Sequence, residues 1–179
     1  MFVRSYLELD QPCGTVTALL LQVDRGWLTA VVEESARWEG DLLVRVGLGP
    51  PHPRTGRRDT ITVGPPALIG GGLLLPLSWR SAERLTPFSR VEADLQAAPL
   101  GPDLTQLSIN ARYQPSARSE VPDRALRHRV AEAVVADLLR RVASGLRARM
   151  EGPAGARADG LPARGPDRPD PSGTPDPSA

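Results

Sequence analysis

A chain of 179 residues with a formal charge of only +1 has no net field to draw it to nucleic acid or to an anionic membrane. Its length suits one domain with a sizeable core. The single cysteine, Cys13, excludes an internal disulfide and any cysteine-based zinc site. All 22 basic residues are arginine, which reads as the codon bias of a GC-rich genome rather than as a recognition device.

The first residues, Met1-Phe2-Val3-Arg4-Ser5-Tyr6, lack the basic segment and long apolar run of a signal peptide. The most apolar stretch, residues 65–77, is interrupted by Gly70-Gly71-Gly72 and is shorter than the roughly 20 residues a bilayer span takes. A soluble, cytoplasmic protein without a membrane span is expected. Residues 2–9 read as a first strand, with Val3, Leu7 and Leu9 on one face. Asp10-Gln11-Pro12 then suits a helix start, and Val16, Leu19, Leu20 and Val23 follow at helical spacing. Asp24 is a candidate cap for a second short helix with Trp27, Leu28, Val31 and Val32 as its buried stripe, and Gly40 is expected to end it.

Beyond Gly40 the pattern is read as strands and turns. Leu42, Val44, Val46 and Leu48 alternate with Leu43, Arg45 and Gly47, and residues 49–58 read as a hairpin loop. Thr60-Ile61-Thr62-Val63 opens another strand, and Leu73, Leu75, Leu77 and Trp79 share one face of the next. Val91, Ala93, Leu95 and Ala97 alternate with Arg90, Glu92, Asp94 and Gln96. After a turn at residues 99–103, Thr105, Leu107, Ile109, Ala111 and Tyr113 alternate with Gln106, Ser108, Asn110 and Arg112. Such period-2 patterning with one polar face marks an antiparallel sheet covered on one side. The cover is a long helix from Pro122-Asp123 to about Met150. Leu126, Val130, Val134, Leu138, Val142 and Leu146 form its stripe, widened by Ala131, Val135 and Leu139; Arg127, Arg129, Arg140, Arg141 and Arg147 take the other side. Residues 151–179 are mostly Pro, Gly, Ala, Ser, Asp and Arg with Leu161 the one large apolar residue, a composition expected to stay disordered.

This element order resembles the helix-grip domain of the START-like superfamily, the polyketide cyclases, lipid-transfer and plant pathogenesis-related proteins. The residues carrying it are Ala111-Arg112-Tyr113-Gln114-Pro115 and the run from Asp123 to Ala133. The resemblance spans residues 1–150. It implies an α+β fold in which a curved antiparallel sheet, with two short helices after its first strand, encloses an elongated apolar cavity against the C-terminal helix. The superfamily shares no catalytic set, so no catalytic residue is carried over.

Candidate chemistry is sparse. His52 and His128 have no second histidine at ligand spacing, so no metal site and no cofactor are expected. His128 with Glu132 four residues on could act as an oriented base, but reads first as a solvated pair. Gly70-Gly71-Gly72 lacks the Gly-Lys-Ser/Thr of a phosphate loop and reads as a bend or turn. Arg54, Arg57 and Arg58 make a basic loop tip. Cys13 has no basic neighbour to activate it and reads as an inert thiol.

The expected cavity lining is Leu75, Leu77, Trp79, Leu95, Leu107, Ile109, Tyr113, Val130, Val134, Asp137 and Leu138. Alternation places Tyr113 inside and Arg112 outside, and ordinary core packing is weighed slightly ahead of ligand contact for Trp79 and Tyr113. Asp137 borders the stripe. The leading expectation is a non-catalytic binding module for an apolar or aromatic small molecule, lipid- or polyketide-like. An interaction module without a ligand and an aromatase/cyclase-type enzyme are the alternatives. No nucleic-acid partner is expected, and the sequence names no protein partner.

Overall fold

The longest alternating runs of the sequence form the longest strand pair. In a computed structural model, which describes residues 1–22, 26–47, 60–80, 88–115 and 124–152, β5 (Phe88–Gly101) and β6 (Leu104–Pro115) pair antiparallel. The other strands are β1 (Phe2–Leu9), β2 (Thr60–Val63), β3 (Ala67–Ile69) and β4 (Gly72–Arg80). The sheet order is β1-β6-β5-β4-β2, with β3 paired to β4 and every pairing antiparallel. Register shifts at each end of the β5–β6 ladder mark bulges, which bend a sheet.

Among the described residues three helices cover the inner face: α1 (Cys13–Leu21), α2 (Gly26–Arg45) and α3 (Arg124–Glu151). The 28 residues of α3 span roughly 42 Å. It lies against β1 and β6, α1 lies against β4 and β5, and α2 fits between α3 and β2. Leu138, Leu139, Val142 and Leu146 pack in one core cluster with Leu75, Leu95, Leu107 and Ile109. The aliphatic edge of α3 therefore faces the sheet, as the stripe requires. This is the helix-grip α+β architecture implied by the START-like resemblance.

One stretch departs from the expected order. Gly40 does not end α2, and residues 42–45 are helix rather than strand. The alternation of Leu42, Val44 and Val46 misleads because the buried residue is Leu43, 2% exposed, while Val44 is 51% exposed. Leu43 packs on Val130 and Val134 of α3, a contact only the helical course provides. That burial outweighs the roughly 1 kcal/mol a glycine costs inside a helix. The partner of β2 is accordingly β4. Short β3 was not anticipated. It turns into β4 through Gly70 and Gly71, whose φ angles of 58° and 76° explain the glycines as a hairpin turn.

The chain between β1 and α1 is tied to the sheet from below. The Pro12 carbonyl accepts from the Thr15 and Val16 amides, and the buried Thr105 hydroxyl donates to the Gln11 carbonyl at 2.6 Å. The expected cap Asp24, the loop at 49–58 with His52, Arg54, Arg57 and Arg58, the start of α3 at Pro122-Asp123, and the tail beyond Gly152 lie outside the described residues.

Candidate functional site

Along the inner face, cross-strand pairing sets Tyr113, Val91, Trp79 and Ile61 in one row. Tyr113 and Trp79 are thus two strands apart, about 10 Å at the usual strand spacing. Above this row runs α2, whose buried face reads Leu28, Val32, Ser35, Ala36, Glu39, Leu43. Two of these are polar. The Trp79 indole N–H donates to Glu39 Oε2 at 3.2 Å, with both side chains buried.

Ser35 lies one turn before Glu39, on the same helix face. Its hydroxyl is buried and has no hydrogen-bond partner among the described residues. The Tyr113 hydroxyl is in the same condition, in a side chain only 1% exposed. The ring of Tyr113 is held edge-on by Phe88, with centroids 4.6 Å apart. Its backbone exchanges hydrogen bonds with Met1. Burial, and then the charge of nearby Glu39, push its phenol well above the ordinary value. Glu39, Trp79 and Tyr113 together form a polar pole in an otherwise apolar interior, with Ser35 one helical turn from Glu39 on the buried face of α2.

The other expected lining residues fall in two places. Leu75, Leu77, Trp79, Leu95, Leu107, Ile109, Tyr113 and Leu138 belong to the main core cluster. Val130 and Val134 belong to a second cluster with Leu43. Asp137 is half-buried on the flank of α3, where its carboxylate accepts from Arg141 Nε at 2.5 Å. Arg141 also reaches Glu34 of α2 at 2.5 Å, so this trio clamps α2 to α3 rather than facing the interior. The sequence pattern does not single out Ser35 and Glu39, because the expected helix stops at Gly40 before the period reaches Leu43. Extending the period from Leu28 and Val32 to Leu43 would have put both on the buried stripe.

The remaining candidates have plain structural settings. His128 Nε2 lies 3.4 Å from Glu132 Oε1 on the solvent side of α3. Cys13 is buried, its sulfur 3.9 Å from both Thr17 Oγ1 and the Gly71 carbonyl. Among the described residues no group of three or more His, Cys, Asp or Glu side chains is placed to hold a metal ion, and no helix is long and apolar enough to cross a membrane.

A concavity lies on the opposite, outer face of the sheet. It holds about 400 Å³ and is lined by Thr62, Pro76, Ser78, Arg90, Glu92, Asp94, Asn110 and Arg112, with Phe2 at its rim. Arg112 points here, as alternation requires. The Arg90–Glu92 ion pair at 2.9 Å crosses its floor.

No protein-family model matches the chain, and no curated protein matches it significantly. Among solved structures, a START superfamily protein from Mycobacterium smegmatis is 14% identical at a TM-score of 0.47, over 82% of this chain and 97% of that one. A protein from Thermus thermophilus is 17% identical at 0.45, over 83% and 99%. A Streptomyces aromatase/cyclase is 14% identical at 0.41, over 86% and 98%. Likenesses this distant assign no ligand and no activity. The helix-grip assignment rests on the element order and strand register above.

Proposed function

We propose that residues 1–150 form a binding domain for an apolar or aromatic small molecule, held between the sheet and the α2–α3 layer with its polar end at Glu39, Tyr113 and Ser35. The observation that carries this reading is the Tyr113 hydroxyl, enclosed beside a carboxylate without a hydrogen-bond partner among the described residues. A buried polar group left unsatisfied costs about 1–3 kcal/mol, and folded proteins keep such groups rarely. A ligand that completes the bonding offsets that cost. The wall of Leu75, Leu95, Leu107 and Ile109 suits an apolar body.

The interior closes tightly around these atoms, so entry requires α2 to part from the Trp79 row. Gly40, next to Glu39, is the weak point at which the helix can bend. Thermal denaturation with and without a panel of apolar alcohols, acids and polycyclic aromatics tests the reading. Binding to the folded state raises the midpoint, by about 2.7 kcal/mol in stability at a hundredfold excess over Kd. No shift with any member of the panel contradicts it.

A second reading draws on the same atoms. Glu39 and Tyr113 are a titratable pair in an apolar interior, which an aromatase/cyclase-type enzyme needs for moving protons. If turnover of a polyketide substrate survives both Glu39→Gln and Tyr113→Phe, that reading falls.

A further inference from the structure

The two edges of the sheet are finished differently. At one edge the chain is cut into short β2 and β3, separated by Gly64-Pro65-Pro66, which is how native sheets blunt an edge against further pairing. At the other, β1 runs for eight residues without a proline, glycine or lysine, and among the described residues only β6 pairs with it. Met1 and Tyr113 exchange both backbone hydrogen bonds, so the odd-numbered residues of β1 are the ones that bond to β6. The N–H and C=O groups of Phe2, Arg4, Tyr6 and Glu8 therefore point to the open side. Their side chains stand exposed on the outer face, Tyr6 at 64%. Arg4 and Glu8 sit opposite neutral Asn110 and Gln106 of β6, and neither has an ion-pair partner among the described residues.

We infer that the open side of β1 receives a second copy of this chain, pairing antiparallel with that copy's own β1 about a two-fold axis at Tyr6. In this register Tyr6 faces its counterpart, and Arg4 of each copy faces Glu8 of the other. All three residues exchange both backbone hydrogen bonds across the junction, from groups already aimed there. The interface is isologous, so the one complementary charge pair is made at both ends. Opposite charges directly across a ladder attract, and like charges repel. Centring the axis on Arg4 or on Glu8 would set like charges face to face, and centring it on Ser5 or Leu7 takes Glu8 away from Arg4. The order of charges along β1 thus selects one register. On the inner face Ser5 and Leu7 are half-buried, and a neighbouring strand adds to their cover.

The test is sedimentation equilibrium on the full chain and on Arg4→Glu, Glu8→Arg and the double exchange, at low salt, where exposed charge pairs act most strongly. The parent is expected to dimerise within the micromolar range. Each single exchange sets like charges opposite each other at both ends of the junction, and is expected to weaken the dimer about tenfold or more. The double exchange makes the facing charges opposite again and is expected to return to within about threefold of the parent. That recovery separates an effect of charge from a failure to fold. A parent that stays monomeric throughout the micromolar range overturns the inference. Single variants that associate as tightly as the parent also overturn it, since the dimer would then use another surface. A double variant no tighter than the single ones overturns the register centred on Tyr6.

Discussion

Replacing Tyr113 by phenylalanine removes one oxygen atom from a place where it lacks a hydrogen-bond partner among the described residues. The side chain is 1% exposed, and its ring contact with Phe88 does not involve the hydroxyl. In most proteins a buried tyrosine hydroxyl is bonded, and losing it costs about 0.5–1.5 kcal/mol. Here the folded state has only the desolvation cost, about 1–3 kcal/mol, and the substitution relieves it. Tyr113→Phe is therefore expected to stabilise the ligand-free chain by at least about 1 kcal/mol, roughly 2–4 °C in midpoint for a chain of this size. It should also weaken binding of 2-naphthol. Urea unfolding, compared at equal m-values, reads the first effect and calorimetry the second. A variant less stable than the parent by about 1 kcal/mol would show that the hydroxyl is bonded after all, and would refute the reasoning.

Three further outcomes follow from the same geometry. Trp79→Phe removes the indole donor to Glu39 and leaves space beside it, so a loss of about 2–4 kcal/mol is expected in urea. In a Glu39→Gln background the loss should shrink by about 1 kcal/mol, because bonds to charged groups are the stronger ones. Gly72→Ala would drive a Cβ into the Ala97 carbonyl oxygen, forcing β4 and β5 apart; a melt lowered by several degrees is expected. Finally, the folded phenol of Tyr113 titrates well above 10, while the unfolded one ionises near 10. The folded state thus holds its proton where the unfolded chain has lost it. This contribution is fully present below about pH 10 and is lost as pH rises from there through the folded value. Tyr113→Phe lacks it, so its stability should fall less steeply in that range.

Where the sequence was easy to read, a period lay close to a single element. Val91 to Ala97 and Leu107 to Tyr113 alternate, and their residues are buried. The stripe from Val130 to Leu146 repeats at helical spacing; Leu138, Val142 and Leu146 face the sheet, and Val130 and Val134 pack on Leu43 of α2. Reading failed where two periods compete over a few residues. Leu42-Leu43-Val44-Arg45-Val46 fits either an alternating strand or the end of a helix, and only the packing of Leu43 on Val130 and Val134 decides between them. That same ambiguity hid half of the candidate site. With α2 cut at Gly40, Glu39 looks like one more surface acid beside Glu33 and Glu34. Tyr113 and Trp79 were legible as inward-facing, but what they face is set by a tertiary contact with α2 that no local pattern encodes. The outer cleft was likewise invisible, because it arises from neighbouring strands whose polar residues each look like an ordinary solvated face.

The most direct test of where a ligand sits is an assigned ¹H–¹⁵N spectrum of the chain titrated with 2-naphthol. The Trp79 indole resonance is expected to move as its bond to Glu39 is rearranged, together with the backbone amides of Ser35 and Tyr113. Shifts confined to Thr62, Ser78 and Asn110 would place the molecule in the outer cleft and contradict the account.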